Sequence, residues 1–181
     1  REEGDSVLIL DQTLLPHQHA ARHLNSLADA AHAIRAMQVR GAPLIGATAA
    51  YGLAIALGEG SDDEHLERAI RTLWTTRPTA VNLHWALTRM SDCLTPLAPE
   101  ARLLAAWQEA SAIAEEDVAQ NLAIGQHGLG LARLIGRRQG STLNIMTHCN
   151  AGWLATVDQG TALSPVYAAY DAGLPVHVWV S

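Results

Sequence analysis

The chain has 181 residues, 49% of them hydrophobic, with a formal net charge of -6 and an isoelectric point near 5.8. That is long and apolar enough to bury one substantial core, while the acidic balance removes any general attraction for nucleic-acid backbones or anionic membranes. The longest apolar run, Leu44 to Leu57, is too short to span a bilayer, and no basic-then-apolar leader opens the chain, so it reads as cytoplasmic. Cys93 and Cys149 stand in unrelated contexts, and the nine histidines are scattered or lie in a polar N-terminal stretch, so neither a disulfide framework nor a metal site is expected.

In chain order, Val7 to Leu10 is a short β-type run closed by Asp11 and later by Pro16. Asn25 or Ser26 can cap a helix whose apolar residues Leu27, Ala30, Ala31, Ile34 and Met37 recur at helical spacing. Pro43 suits a first helical position, and Leu44 to Leu57 reads as a helix apolar on most faces, hence buried. Gly46 and Gly52 within it point to close packing against neighbouring backbone. Further helices are expected over 63–74, 79–93 and 99–135, the last broken or bent around Gly125, Gly128 and Gly130.

The pattern changes across Gly136 to Gly140. Thr142 to Thr147 reads as a strand, Thr161 to Ala172 as a helix, and Val176 to Val180 as a second strand after the turn Gly173-Leu174-Pro175. Strand, loop, helix, strand is the order of a parallel crossover unit. The expected fold class is therefore α/β: a mainly helical N-terminal domain, 1–136, followed at 137–181 by the start of a parallel-sheet domain. Two parallel strands do not complete a sheet, so the chain is expected to end inside a domain.

Three segments carry chemistry. Arg40-Gly41-Ala42-Pro43 sets a guanidinium and small-residue backbone at a helix start, where free N–H groups and the helix dipole favour a phosphate. An ordinary loop with a solvated arginine fits the same residues. Arg77-Pro78-Thr79-Ala80-Val81-Asn82 repeats the design, and a surface ion pair is its plain alternative. Thr147-His148-Cys149-Asn150-Ala151-Gly152 ends the first strand of the crossover unit, where open parallel sheets bind ligands. A thiol there is either reactive or an inert buried hydrophobe. Cys93, Trp85 and Trp107 fall within helical patterns and read as core or interface residues, and Glu115-Glu116-Asp117 as a solvated helix face.

Taken together, the segments resemble the methylthioribose-1-phosphate isomerases. IRAMQVRGAPLIGATAAYGLAIAL is similar to that family's substrate-binding segment, RPTAVNLHWAL to its second and THCNAGWLATVDQGTAL to its catalytic-cysteine segment, with LDQTLLP and EEDVAQNLAIGQHG as further matches. The resemblance implies that Arg40, Gly41 and Ala42 bind the substrate phosphate region, that Arg77 is a second substrate contact, and that Cys149 is the catalytic cysteine. It also implies a helical N-terminal domain before a Rossmann-like one, a sugar-phosphate substrate, a homodimer, and no cofactor, metal, nucleic acid or membrane. The family's later acidic-Thr-Arg-Pro segment, binding Gln, catalytic Asp and Asn-Lys pair have no counterpart here, so the chain is expected to be a fragment, inactive alone. A ribose-1,5-bisphosphate isomerase and a non-enzymatic initiation-factor-2B-like regulatory subunit are the alternatives; retention of RGAP and HCNAG speaks against the latter.

Overall fold

A computed structural model describes residues 2–139 and 142–181. The chain forms two compact units, 1–114 and 115–181, whose division falls inside one long helix. Composition instead suggested a domain change after residue 136, in a stretch whose last residue, Gly140, lies outside the described residues.

The first unit opens with an antiparallel meander, β1 (Glu2–Glu3), β2 (Ser6–Leu10) and β3 (Ala21–Leu24), in that order. Sequence reading finds β2 and misses β3, because ARHL is exposed at its first three residues and carries no alternating apolar pattern. Helices α1 (Leu27–Arg35), α2 (Ala42–Ala56), α3 (Asp63–Trp74) and α4 (Val81–Leu94) follow. Ser26 caps α1 by accepting from the Asp29 N–H at 3.1 Å, while the Asp29 carboxylate takes the Asn25 N–H, a reciprocal cap that fixes the helix start.

The end of α1 departs from expectation. Met37 does not continue the apolar face; it is exposed at φ 60°, and the Gln38 and Met37 N–H groups close back onto the Ala33 and Ile34 carbonyls. This is a Schellman-type end with methionine where glycine is usual, so composition gave no warning. Chain direction turns at that point toward Arg40.

Helix α2 is buried along almost its whole length, as its all-round apolar sequence requires. Two glycines set its neighbours: a Cβ on Gly46 would meet the Asn82 carbonyl at 3.0 Å, and one on Gly52 would meet Ala30 at 2.6 Å. Backbone-close packing against α4 and α1 thus depends on both. The core of this unit runs from Val7 through Ala30, Ile34, Leu53, Leu73 and Leu87 to Ile113.

Helix α5 (Pro99–Gln139) is continuous, which corrects the expected break. In its later half Gly125 and Gly128 serve close approach: a Cβ on Gly125 would sit 2.7 Å from the Ser164 hydroxyl, and one on Gly128 would overlap the Pro165 ring. Within the second unit, β4 (Leu143–Thr147) and β5 (Val176–Val180) pair in parallel, with α6 (Ser164–Asp171) between them in sequence. Its small core comprises Leu129, Ala132, Leu143 and Ala169. The α/β reading therefore holds as a mainly helical chain with a small parallel sheet.

Candidate active site

Gly41 is the N-cap of α2 at φ 102°, a left-handed conformation that any Cβ would strain, and Ala42 and Pro43 form the first helical turn. Pro43 stands at the second helical position rather than the first. No side chain caps this end, so its leading N–H groups lack side-chain acceptors. Arg40 is exposed just before it and, among the described residues, has no hydrogen-bond or ion-pair partner.

Arg77 occupies the turn before α4, closed by the Ala80 N–H donating to the Arg77 carbonyl at 3.0 Å. The helix begins at Val81, two residues later than expected, which leaves Thr79 in the turn. Arg77 is half-buried and likewise unpartnered among the described residues. Because Gly46 lies on Asn82, the two arginine-bearing helices cross near their starts. The starts of α2 and α4 therefore lie near one another.

The turn that presents Arg40 is held from behind by a group that sequence reading passed over. The Asp11 carboxylate is buried; one oxygen accepts from the Thr13 N–H at 3.1 Å and hydroxyl at 2.6 Å, the other from Arg22 Nε and Gln38 Nε2, each at 3.1 Å. Burial alone would raise its pKa, but the Thr13 and Arg22 hydrogen bonds and the Arg22 charge outweigh it and hold the carboxyl below its ordinary 3.8. Between α3 and α4, Trp74 stacks on His84 with ring centroids 4.1 Å apart, and His84 Nε2 is buried without a hydrogen-bond partner among the described residues.

In the second unit Cys149 stands two residues after the end of β4. It is exposed, at φ 66°, and its N–H reaches the Ser181 carbonyl at 3.4 Å. The neighbouring His148 ring shares a 2.9 Å hydrogen bond with the Ser181 hydroxyl, and the Thr147 hydroxyl is buried without a hydrogen-bond partner among the described residues. From Cys149 the loop passes through a 3-10 turn, Trp153–Ala155, and returns on itself, with Gly160 (φ 66°) stacked on the Gly152 carbonyl so closely that no Cβ fits. Glycine at 160 is a steric requirement of that crossing.

Asp117 is the second missed residue: Glu115 and Glu116 are exposed as the solvated-face reading expects, and Asp117 is not. It is half-buried, accepting the Val157 N–H at 2.8 Å and the Asn121 amide at 3.1 Å, while the Ser164 hydroxyl donates to the Asn121 carbonyl at 2.6 Å. These bonds tie the loop after Cys149 to α5. Burial pushes the Asp117 carboxyl up against the lowering effect of Val157 and Asn121. Cys93, by contrast, is half-buried in α4, and burial with the Glu109 charge raises its thiol pKa despite Arg89. Trp107 packs against the first core as expected, whereas Trp85 is exposed beneath the Arg89 guanidinium at 5.7 Å.

Among the described residues no group of three or more His, Cys, Asp or Glu is placed to hold a metal ion, and no helix is long and apolar enough to cross a membrane. Residues 38–181 match the Initiation factor 2 subunit family, and the chain belongs to that family.

Among curated relatives, the methylthioribose-1-phosphate isomerase of Dechloromonas aromatica (strain RCB) is 71% identical over 173 residues, covering 96% of this chain and 48% of that protein. The one from Rhodospirillum rubrum is 58% identical, covering 98% of this chain and 47% of that protein. Of solved structures, the 5-methylthioribose 1-phosphate isomerase of Pyrococcus horikoshii OT3 superposes with a TM-score of 0.88 at 36% identity, over 99% of this chain and 51% of that one. The translation initiation factor eIF-2B subunit delta of A. fulgidus gives 0.81 at 36% identity, over 96% and 51%. The chain thus spans about half the length of the relatives it matches.

Proposed function

We propose that the whole protein carrying this chain is an aldose–ketose isomerase that converts 5-methylthioribose 1-phosphate to 5-methylthioribulose 1-phosphate in methionine salvage, as a cytoplasmic homodimer. Supporting this reading are the isomerase relatives at 71% and 58% identity. The observation that carries it is Arg40, exposed and without a partner among the described residues, beside the uncapped, glycine-initiated start of α2. Arg40, the Gly41 and Ala42 backbone and Arg77 bind the phosphate, and Cys149 is the catalytic cysteine. In the same reading β4, α6 and β5 begin a Rossmann-like domain at 137–181, after the helical domain of residues 1–136.

The substrate bears its phosphate on the anomeric carbon, so the ring does not open as freely as that of an ordinary aldose. The enzyme assists ring opening and moves hydrogen from the second carbon to the first. Fixing the phosphate holds those carbons in a defined orientation, and in this reading the thiol of Cys149 takes part in proton or hydride movement.

Incubating the whole protein with methylthioribose 1-phosphate and following ketose formation by NMR tests the proposal. Arg40→Ala is expected to raise KM by about tenfold or more, the equivalent of a charge-assisted hydrogen bond to an anion. Absence of turnover in folded protein would overturn it and favour the regulatory reading, which the structural likeness to the initiation-factor subunit supports.

A further inference from the structure

We propose that Asp11 is a positioning residue for the substrate phosphate, acting through Gln38 to hold the turn that presents Arg40. The inference rests on the phosphate-binding reading of Arg40 and extends it to residues outside the α2 helix start.

Between α1 and α2 the chain runs through Met37, Gln38, Val39 and Arg40, and it is restrained from both sides. Backbone bonds to Ala33 and Ile34 close the end of α1, with Met37 in a left-handed conformation that a methionine does not adopt unaided. Beyond them, Gln38 is fixed twice from the other side of the turn. Its carbonyl accepts the Gln12 N–H at 2.9 Å, and its side-chain amide donates to Asp11 at 3.1 Å. Val39 is buried as an apolar anchor, and Arg40 follows, exposed.

Asp11 suits the role because nothing about it is left free. It sits between β2 and the 3-10 turn Gln12–Leu14, its own N–H bonds the Ala20 carbonyl at 2.8 Å, and both carboxylate oxygens are occupied. Arg22 balances its charge, so the acid behind the loop does not draw Arg40 away from an incoming anion. An aspartate that held the turn but lacked Arg22 and Thr13 would compete with the phosphate for the guanidinium.

The test uses the whole protein with methylthioribose 1-phosphate, in three variants: Asp11→Asn, Gln38→Ala and Arg40→Ala, with Asp11→Asn also placed on the Arg40→Ala background. Asp11→Asn is expected to raise KM about tenfold and Gln38→Ala about threefold, with kcat within about twofold of the parent, because misplacing a binding group removes uniform binding. On the Arg40→Ala background Asp11→Asn should change KM less than about twofold, since the two act as one unit. Hydrogen exchange at Val39 to Gly41 should quicken in both single variants.

A folded Asp11→Asn or Gln38→Ala enzyme with parental KM overturns the proposal. So does an Asp11 effect that persists undiminished without Arg40. Should Asp11→Asn fail to fold, Gln38→Ala decides the matter, because it leaves the Thr13 and Arg22 bonds to Asp11 in place. If Arg40→Ala leaves KM unchanged, the phosphate reading itself falls and takes the positioning role with it. That result is distinguishable from a failure of Asp11 alone, in which Arg40→Ala still raises KM.

Discussion

Cys149 is held at φ 66° in an exposed loop, while Cys93 is half-buried with its thiol pKa raised by burial. An alkylating reagent at mildly alkaline pH should therefore label Cys149 well before Cys93, which peptide mass spectrometry reads directly. Cys149→Ser in the whole protein should cut turnover on the order of a hundredfold with the fold intact, and Cys93→Ser should leave turnover near parental. Asp11 and Asp117 act in opposite senses. Asp11, lowered in the folded chain, contributes stability that is full above its ordinary 3.8 and is lost as pH falls through the folded value. Asp117, raised, binds its proton more tightly when folded, so its contribution declines as pH rises from 3.8 through the folded value. Denaturation midpoints measured across that range should flatten below 3.8 in Asp11→Asn and just above it in Asp117→Asn. Arg40, Gly41, Ala42, Arg77 and Cys149 stand out in the sequence because each sits in a short segment of unusual residue types. Asp11 and Asp117 do not, since an aspartate after a strand or within an acidic helical run is ordinary, and their importance arises from partners 27 and 40 positions away.

The helices were legible wherever apolar spacing governed them. Asp63–Trp74 and Val176–Val180 stand as read, because Asp62 caps the first through the His65 N–H and Gly173 ends α6 at φ 76° ahead of the second. The same Schellman closure ends α1 and α6, yet only the glycine version is visible in sequence; Met37 hid the other. In α5 the glycines misled for a related reason, since their cost in helix propensity is evident locally while the groups they admit come from residues 164 and 165. Gly128→Ala should destabilise the second unit by about 1–3 kcal/mol through overlap with Pro165. Gly130→Ala, where no atom lies within 4 Å, should instead stabilise α5 by about 1 kcal/mol. Urea melts of the pair separate the two effects, and equal shifts would refute the packing account of Gly128.

At the scale of the whole molecule, β4 and β5 pair with each other, and Met146, Trp179 and Val180 are 72%, 59% and 77% exposed. An apolar two-stranded parallel ribbon of this kind is a site for edge pairing. Residues 1–181 expressed alone should associate in a concentration-dependent way, measurable by light scattering. The burial of α2 also bears on synthesis at the ribosome. Its apolar surface is packed by α1, α3 and α4, and Trp107 of α5 meets Tyr51 with ring centroids 5.9 Å apart, in a core that continues to Ile113. A nascent chain whose exposed length stops short of Ile113 therefore presents α2 to chaperones as an incompletely covered hydrophobic rod, whereas one longer by the first half of α5 can enclose it before the second unit is translated. Stalled nascent chains of graded length should accordingly become protease-resistant as Ile113 clears the exit tunnel.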